Sequence, residues 1–218
     1  MKNLTNKKAN PDFTSGAKST IIPALFDDID CRGNNSNVLY LSSTVPIGSR
    51  PRVVDAISYA KRGWAVFPVH SVIDGKCTCG KDCGAVGKHP LTEHGFNDAT
   101  TDIAIIGEWW KKWPWANIGI ATGDISGIVV LDVDKKNNGY QSLEELIKEH
   151  GEPECDAIVE TGGGGRHYYF KYPANGQKVP SALAVGKHGG IDVKADGGYV
   201  VAPPSIHVSG NQYKWFKY

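Results

Sequence analysis

The sequence predicts an α+β protein with two lobes. Three observations carry that prediction. Helical spacing of apolar residues recurs at 53–63, 101–114 and 140–151. Apolar strands separate these helices, at 64–70, 117–123 and 127–134. After residue 151 the pattern turns to hairpin-like alternation around glycine turns. The chain has 218 residues, enough for one generous domain or two small ones. Hydrophobic content of 40% and charged content of 22% describe an ordinary soluble globular protein. No apolar run approaches the roughly 20 residues of a membrane span. The amino terminus has no apolar core of a secretory signal, so a cytoplasmic protein without a membrane partner is expected. A net charge of +1 decides nothing about nucleic acid, because a basic groove can hide inside a neutral total.

Residues 1–50 are rich in Asn, Ser, Thr, Lys and Gly, with only "IIPALF" and "NVLYL" apolar. A poorly patterned extension with one docked segment is expected there, and a folded domain over 51–218. The first helix presents Val53, Val54, Ile57 and Ala60 and stops at Gly63. "WAVFPVH" reads as a strand, and 71–94 as a polar loop. Thr101 or Asp102 caps the next helix, whose apolar face is Ile103, Ile106, Trp109 and Trp110 and which ends near Pro114. "NIGIATG" and "GIVVLDVD" are strands. "GYQSLEELIKEHG" is an amphipathic helix with Leu143, Leu146 and Ile147 inward and Gly151 at its end. "AIVETGGGGRHYYFKYP" is a hairpin with a glycine tip. "GGIDVKADGGYVVAPPS" reads as a second pair of strands around Asp196-Gly197-Gly198, and "NQYKWFKY" as a last strand.

The chemistry begins with Asp132 and Asp134. Residues i and i+2 of a strand share a face, so the two carboxylates stand side by side. A divalent cation would relieve their repulsion, because hard cations prefer carboxylate oxygen. A solvated strand end running into a turn fits the same residues. His167 lies between a glycine turn and aromatic strand residues, and Asp192 lies between Ile191 and Val193. Arg166, beside His167, is expected on the other face of its strand unless the glycines distort it. Glycines 162–165 permit close backbone approach or an anion nest, and equally a plain flexible tip.

The order apolar-Asp-x-Asp, glycine hairpin with His, apolar-Asp resembles the archaeo-eukaryotic primase superfamily, and within it the bifunctional primase/polymerase (Prim-Pol) domains. "VVLDVD" is similar to the first motif, Gly165-Arg166-His167 to the second and Ile191-Asp192 to the third. The phrases "GWAVFPV", "HGFNDATTD", "WWKKWPWANIGIATG" and "DGGYVVAPPSIHVSGNQYKW" extend the resemblance over about 53–218. It implies an α/β lobe joined to an RRM-like β-rich lobe. It implies a template-directed nucleotidyltransferase, a DNA polymerase with primase activity, serving a plasmid, phage or other mobile element. Its partners would be DNA template and primer, dNTPs or NTPs, and a helicase, fused or separate. Asp132, Asp134 and Asp192 would hold two Mg2+ or Mn2+ ions. His167 would bind the triphosphate, with Arg166, Gly165 and Lys194 as further nucleotide contacts. Lys194 departs from the family, where many relatives carry Arg, and lacks the bidentate fork. A DNA-binding initiator module without catalysis and a metal-dependent nuclease using the same carboxylates are the alternatives. The intact acidic set and His167 speak against the first, and a nuclease has no need of the histidine.

Five cysteines, at 31, 77, 79, 83 and 155, do not form a disulfide framework when three fall within seven residues. Cys77, Cys79, Cys83 and His89 supply a complete tetrahedral set for one structural Zn2+ in a loop at about 74–94, which favours zinc over unliganded thiols. Similar Cys/His insertions occur in Prim-Pol domains. His94 is a substitute for His89, and Cys31 and Cys155 are bystanders. Lys88 has phosphate reach but reads first as a solvated lysine. "EWWKKWPWANIG" invites a stacking platform for bases, yet Trp109 and Trp110 read first as core, leaving Trp113, Trp115, Lys111 and Lys112 as weak candidates.

Overall fold

Residues 51–155, 157–184 and 188–217 are described by the structure, a computed structural model. The extension expected over 1–50, with Cys31, lies outside the described residues. Helix α1 (Arg52–Ala60) buries Ala56, Tyr59 and Ala60, while Val54 stays 36% exposed. Gly63 follows with φ +87°, a turn that suits glycine. Helix α2 (Ile103–Lys112) is capped by Asp102, whose carboxylate accepts from the Ala104 and Ile105 N–H groups. It buries Ile106 and Trp110. Ile103 is 44% exposed, so the expected apolar face loses its first residue.

α1 and α2 pack on each other and on a three-stranded antiparallel sheet of β1 (Val66–Val69), β4 (Asn117–Ala121) and β9 (Tyr199–Ala202), in the order β1-β4-β9. β4 is buried along its whole length. Gly119 is needed there: a Cβ would sit 2.5 Å from the Phe67 ring.

The second sheet holds β5 (Ile128–Val133), β6 (Ala157–Glu160), β7 (Arg166–Lys171), β8 (Ile191–Lys194) and β10 (Lys214–Lys217). Their order is β10-β6-β7-β5-β8, antiparallel throughout. Helix α3 (Gly139–His150) packs on β5 and β8, burying Leu143 and Leu146 with Ile147 half-buried. One contiguous core runs through both sheets, from Phe67, Ile118 and Ile120 to Leu131, Phe170 and Ile191. Trp64 stacks on both Tyr59 and Tyr169 and so links α1 to the larger sheet.

The glycine-tipped hairpin forms as predicted, with β6 paired to β7. The second pair of strands does not pair with itself. β8 joins β5, and β9 leaves for the other sheet to join β4. The chain crosses between sheets three times, at 122–127, 195–198 and 203–213, and the first two crossings are bonded together. Thr122 N–H donates to Gly198 O at 3.0 Å and its hydroxyl to Ala195 O at 2.7 Å. A turn at Asp196-Gly197-Gly198 therefore redirects the chain instead of reversing it. A short hairpin of β2 (Val72–Ile73) and β3 (Lys76–Cys77) closes on Asp74 and Gly75, both at positive φ, inside the segment read as loop.

Candidate active site and metal centre

β5 lies between β7 and β8, and this neighbourhood builds the site. Asp132 is in register with His167 on β7 and with Asp192 on β8. Residues opposite each other in antiparallel strands share a face, so Asp192, Asp132 and His167 form one row across three strands. The Asp132 and Asp192 side chains are each 30% exposed, and that of His167 is 7% exposed. The acids stand at the mouth and the imidazole below them. Asp134 follows beyond the strand end, where its carboxylate accepts from Lys136 N–H and the Asn137 amide, both at 2.9 Å. All four line one cleft of about 410 Å³. A second cavity, of about 440 Å³ at the crossing between the sheets, is lined by Phe96, Asp124, Lys178 and Asp196 and holds none of the predicted residues.

Burial pulls the His167 pKa down. Asp132, with Oδ1 3.4 Å from Nε2, opposes this, and the Lys88 and Lys194 charges add to it. The ring is therefore a neutral imidazole at neutral pH. Its Nδ1 is buried with no hydrogen-bond partner among the described residues. Lys194 ion-pairs with Asp192 at 2.9 Å, and Asp192 also accepts from Ala184 N–H. Tyr213 lines the cleft as well, its phenol pushed far up by burial and then by Asp132, so it stays a neutral hydroxyl.

The glycine hairpin comes close to β5 because it lacks side chains. A Cβ on Gly165 would meet Val133 O at 2.4 Å, and one on Gly162 would meet the His207 Cβ at 2.3 Å. The Gly164 and Gly165 N–H groups donate to Thr161 at 2.9 Å each, so these two do not offer the anion nest that the glycine run allowed. Close approach is what the glycines supply here. Arg166 is not brought to the cleft. It pairs with Val133 and Glu160 on the opposite face of the sheet from His167. Its guanidinium lies 4.3 Å from the Phe216 ring centroid.

Cys77, Cys79, Cys83 and His89 gather as the spacing predicts. Their ligand atoms lie within 4.8 Å of one another, with His89 Nε2 3.1 Å from the Cys77 sulfur and 3.7 Å from that of Cys83. Three thiols and an imidazole at these separations fit a tetrahedral zinc ion. Burial pushes the Cys77 thiol up, but hydrogen bonds from the Gly87 and Cys79 backbone and from His89 outweigh it, and its pKa falls to about 6. Desolvation, then Cys77 and Cys79, push Cys83 up to about 11. A second thiolate beside the first is resisted, and a dication is what would remove that resistance. The Asp132, Asp134 and Asp192 carboxylates line a cleft without closing to the same distance. His94 is not a ligand: its Nδ1 lies 2.9 Å from Asp98. Cys155 is buried against the Tyr169 carbonyl, away from the cluster. Trp110 is core, and Trp109, Trp113 and Trp115 pack against it, half-buried.

Two residues escaped the sequence reading, and a third was given less weight than its position warrants. His207 lines the cleft, and its only signal was a polar residue between Ile206 and Val208. Lys88, read as solvated, also lines it. Asn117 is fully buried at the start of β4, and nothing local to it signals its bonding. Among the described residues no helix is long and apolar enough to cross a membrane.

A search of curated proteins finds no match. Residues 56–218 match the family model described as bifunctional DNA primase/polymerase, N-terminal (Prim-Pol). That span takes in every strand of both sheets, and on it the chain belongs to the Prim-Pol family of bifunctional DNA primase/polymerases.

Proposed function

We propose that this protein is a template-directed nucleotidyltransferase that extends DNA primers and also starts them, in replication of a plasmid, phage or other mobile element. The observation that carries this reading is the register of Asp132 with both Asp192 and His167. On this reading the three-stranded sheet with α1 and α2 is one lobe, and the five-stranded sheet with α3 is the RRM-like lobe.

Asp132, Asp134 and Asp192 would hold two Mg2+ or Mn2+ ions, with substrate phosphates and water completing the oxygen ligands. When bound, the ions supply charge stabilisation to the attacking 3′-hydroxyl and the leaving pyrophosphate of an in-line displacement. The protein's part is placement. Lys194 holds the Asp192 carboxylate and balances its charge between turnovers. His167, neutral and buried, would present the Nε2 edge of its imidazole, the edge beside Asp132, to the triphosphate. The glycine hairpin leaves the mouth of the cleft open to a bulky substrate. The four-ligand cysteine site is closed, so its zinc would shape the loop and carry no chemistry.

The test is primer extension by purified protein with Mn2+ or Mg2+, dNTPs and single-stranded template, with and without annealed primer. Extension that disappears in Asp132→Ala/Asp134→Ala supports the polymerase, and product without primer adds priming. A folded protein that makes no product with either template fails the reading. Nucleotides released from the template would mark a nuclease instead.

A further inference from the structure

The cleft of the acidic row takes in a further pair of residues, a lysine and a histidine, that neither the motifs nor the resemblance assigned. Lys88 and His207 enter the same cleft as Asp132, Asp134 and Asp192. They arrive from distant parts of the chain, and one buried side chain fixes both arrivals. Asn117 is 0% exposed. Its amide nitrogen donates to Gly87 O at 3.0 Å and to Ile206 O at 2.8 Å. Its oxygen accepts from Ile206 N–H at 2.9 Å and from the Ser71 hydroxyl at 3.0 Å. All four hydrogen-bonding positions of the amide are used. Gly87 and Ile206 directly precede Lys88 and His207, so both side chains start from backbone pinned to one point.

The hydrogen bonds of His207 assign its tautomer. The Ser209 N–H, which can only donate, lies 3.2 Å from Nδ1 and makes Nδ1 its acceptor; the Ser209 hydroxyl, 3.0 Å from Nδ1 and 2.7 Å from Gly162 O, has one proton for one of the two. Nδ1 is thus the acceptor and the proton sits on Nε2. Nε2 makes no hydrogen bond among the described residues. The ring lies over the glycine tip, where a Cβ on Gly163 would be 3.4 Å from Nε2. Burial, then the charges of Lys88 and Lys136, draw the His207 pKa down, which keeps the ring neutral and places two lysines near it. A free N–H donor beside lysine charge, above a tip without side chains, is chemistry for phosphate oxygens.

We propose that Lys88 and His207 form a polyphosphate-binding pair that grips the triphosphate of the incoming nucleotide in the cleft of the carboxylate row. That the polyphosphate belongs to a nucleotide rests on the polymerase reading; the anion pair itself does not.

The test separates the two nitrogens of His207. His207→Asn keeps an acceptor for Ser209 and loses the Nε2 donor. His207→Gln keeps a donor near Nε2 and loses the acceptor. Binding of inorganic tripolyphosphate to the full chain is measured by calorimetry, with melting temperature as the folding control, and dNTP KM and kcat come from primer extension. We expect His207→Asn and Lys88→Ala each to weaken tripolyphosphate about ten-fold. His207→Gln and Lys88→Arg should retain most of the affinity. KM for dNTP should rise in parallel while kcat changes little. The pair is overturned if wild type does not bind tripolyphosphate, or if His207→Asn behaves as wild type and His207→Gln is the damaged variant. Wild type that extends primers with a KM insensitive to all four substitutions also overturns it, leaving the polymerase standing. Tripolyphosphate binding with the expected variant pattern, in a protein that never extends a primer, upholds the pair and sinks the polymerase.

Discussion

The cysteine loop and the carboxylate cleft are assembled in opposite ways. All four donors of the loop lie within residues 77–89, and the short β2–β3 hairpin carries the first of them. The cleft draws Asp132, His167 and Asp192 from three strands that meet only when the five-stranded sheet has formed. The loop's geometry is set by chain proximity, while the cleft's is set by register. A one-residue slip of β7 or β8 would turn His167 or Asp192 to the opposite face and erase the row. Damage to the loop should therefore stay local, and damage to the sheet should not.

The strongest way to sharpen this contrast is to remove chemistry from the cleft without touching the fold. Asp132→Ala should cut primer extension by at least about 10²-fold with little change in melting temperature, because the carboxylate is partly exposed at the mouth. The matching experiment on the loop is Cys83→Ser, or chelation of the wild type. One zinc per chain should be lost, and amide exchange should quicken across 71–94 while β5, β7 and β8 remain protected. Equal exchange in both regions would break the contrast. Asn117→Ala tests the seam between them. It strands the Gly87 carbonyl and both Ile206 backbone groups, at a cost of about 3 kcal/mol, read by denaturant unfolding.

The pH response is smaller. Burial depresses the His167 pKa below its ordinary 6.5. The unfolded chain then binds the proton more readily than the folded one. The stability this represents is fully present above pH 6.5 and is lost as pH falls through the folded value. His70 and His207 are depressed too, with the same sign. Melting temperature should fall between pH 7.5 and 5.5, and His167→Gln should flatten that slope. The smallest effect belongs to Arg166→Ala, which loses the contact with Phe216, worth about 1 kcal/mol, and should leave dNTP KM unchanged.

What was legible in the sequence follows the same division. Helix spacing located α1, α2 and α3, and alternation located the β6–β7 hairpin, because those signals are short-range. The Cys/His set was readable from spacing, and the two aspartate motifs from their place in strands. The partner of each strand was not readable. Asp196-Gly197-Gly198 looks like a reversal, yet β8 and β9 belong to different sheets, since what they bury is decided by β5 and β4. Arg166 was foreseen on the far side by strand alternation alone, against the role that resemblance implied. His207 was invisible for the opposite reason: it acts through a pairing with Gly162 and Ser209 that no local pattern encodes.

Asn117 has one more consequence. It holds Gly87 just after 78–86, while at the start of that stretch the Thr78 N–H donates to Ser71 O at 3.0 Å, which leaves 78–86 as a detachable module. That stretch is anchored at both ends and owes its shape to its own ligands. Its length and composition should therefore be exchangeable with those of other metal loops, provided that the thiols still reach His89. Such grafts would be a means of exchanging the metal loop while the lining of the cleft stays the same.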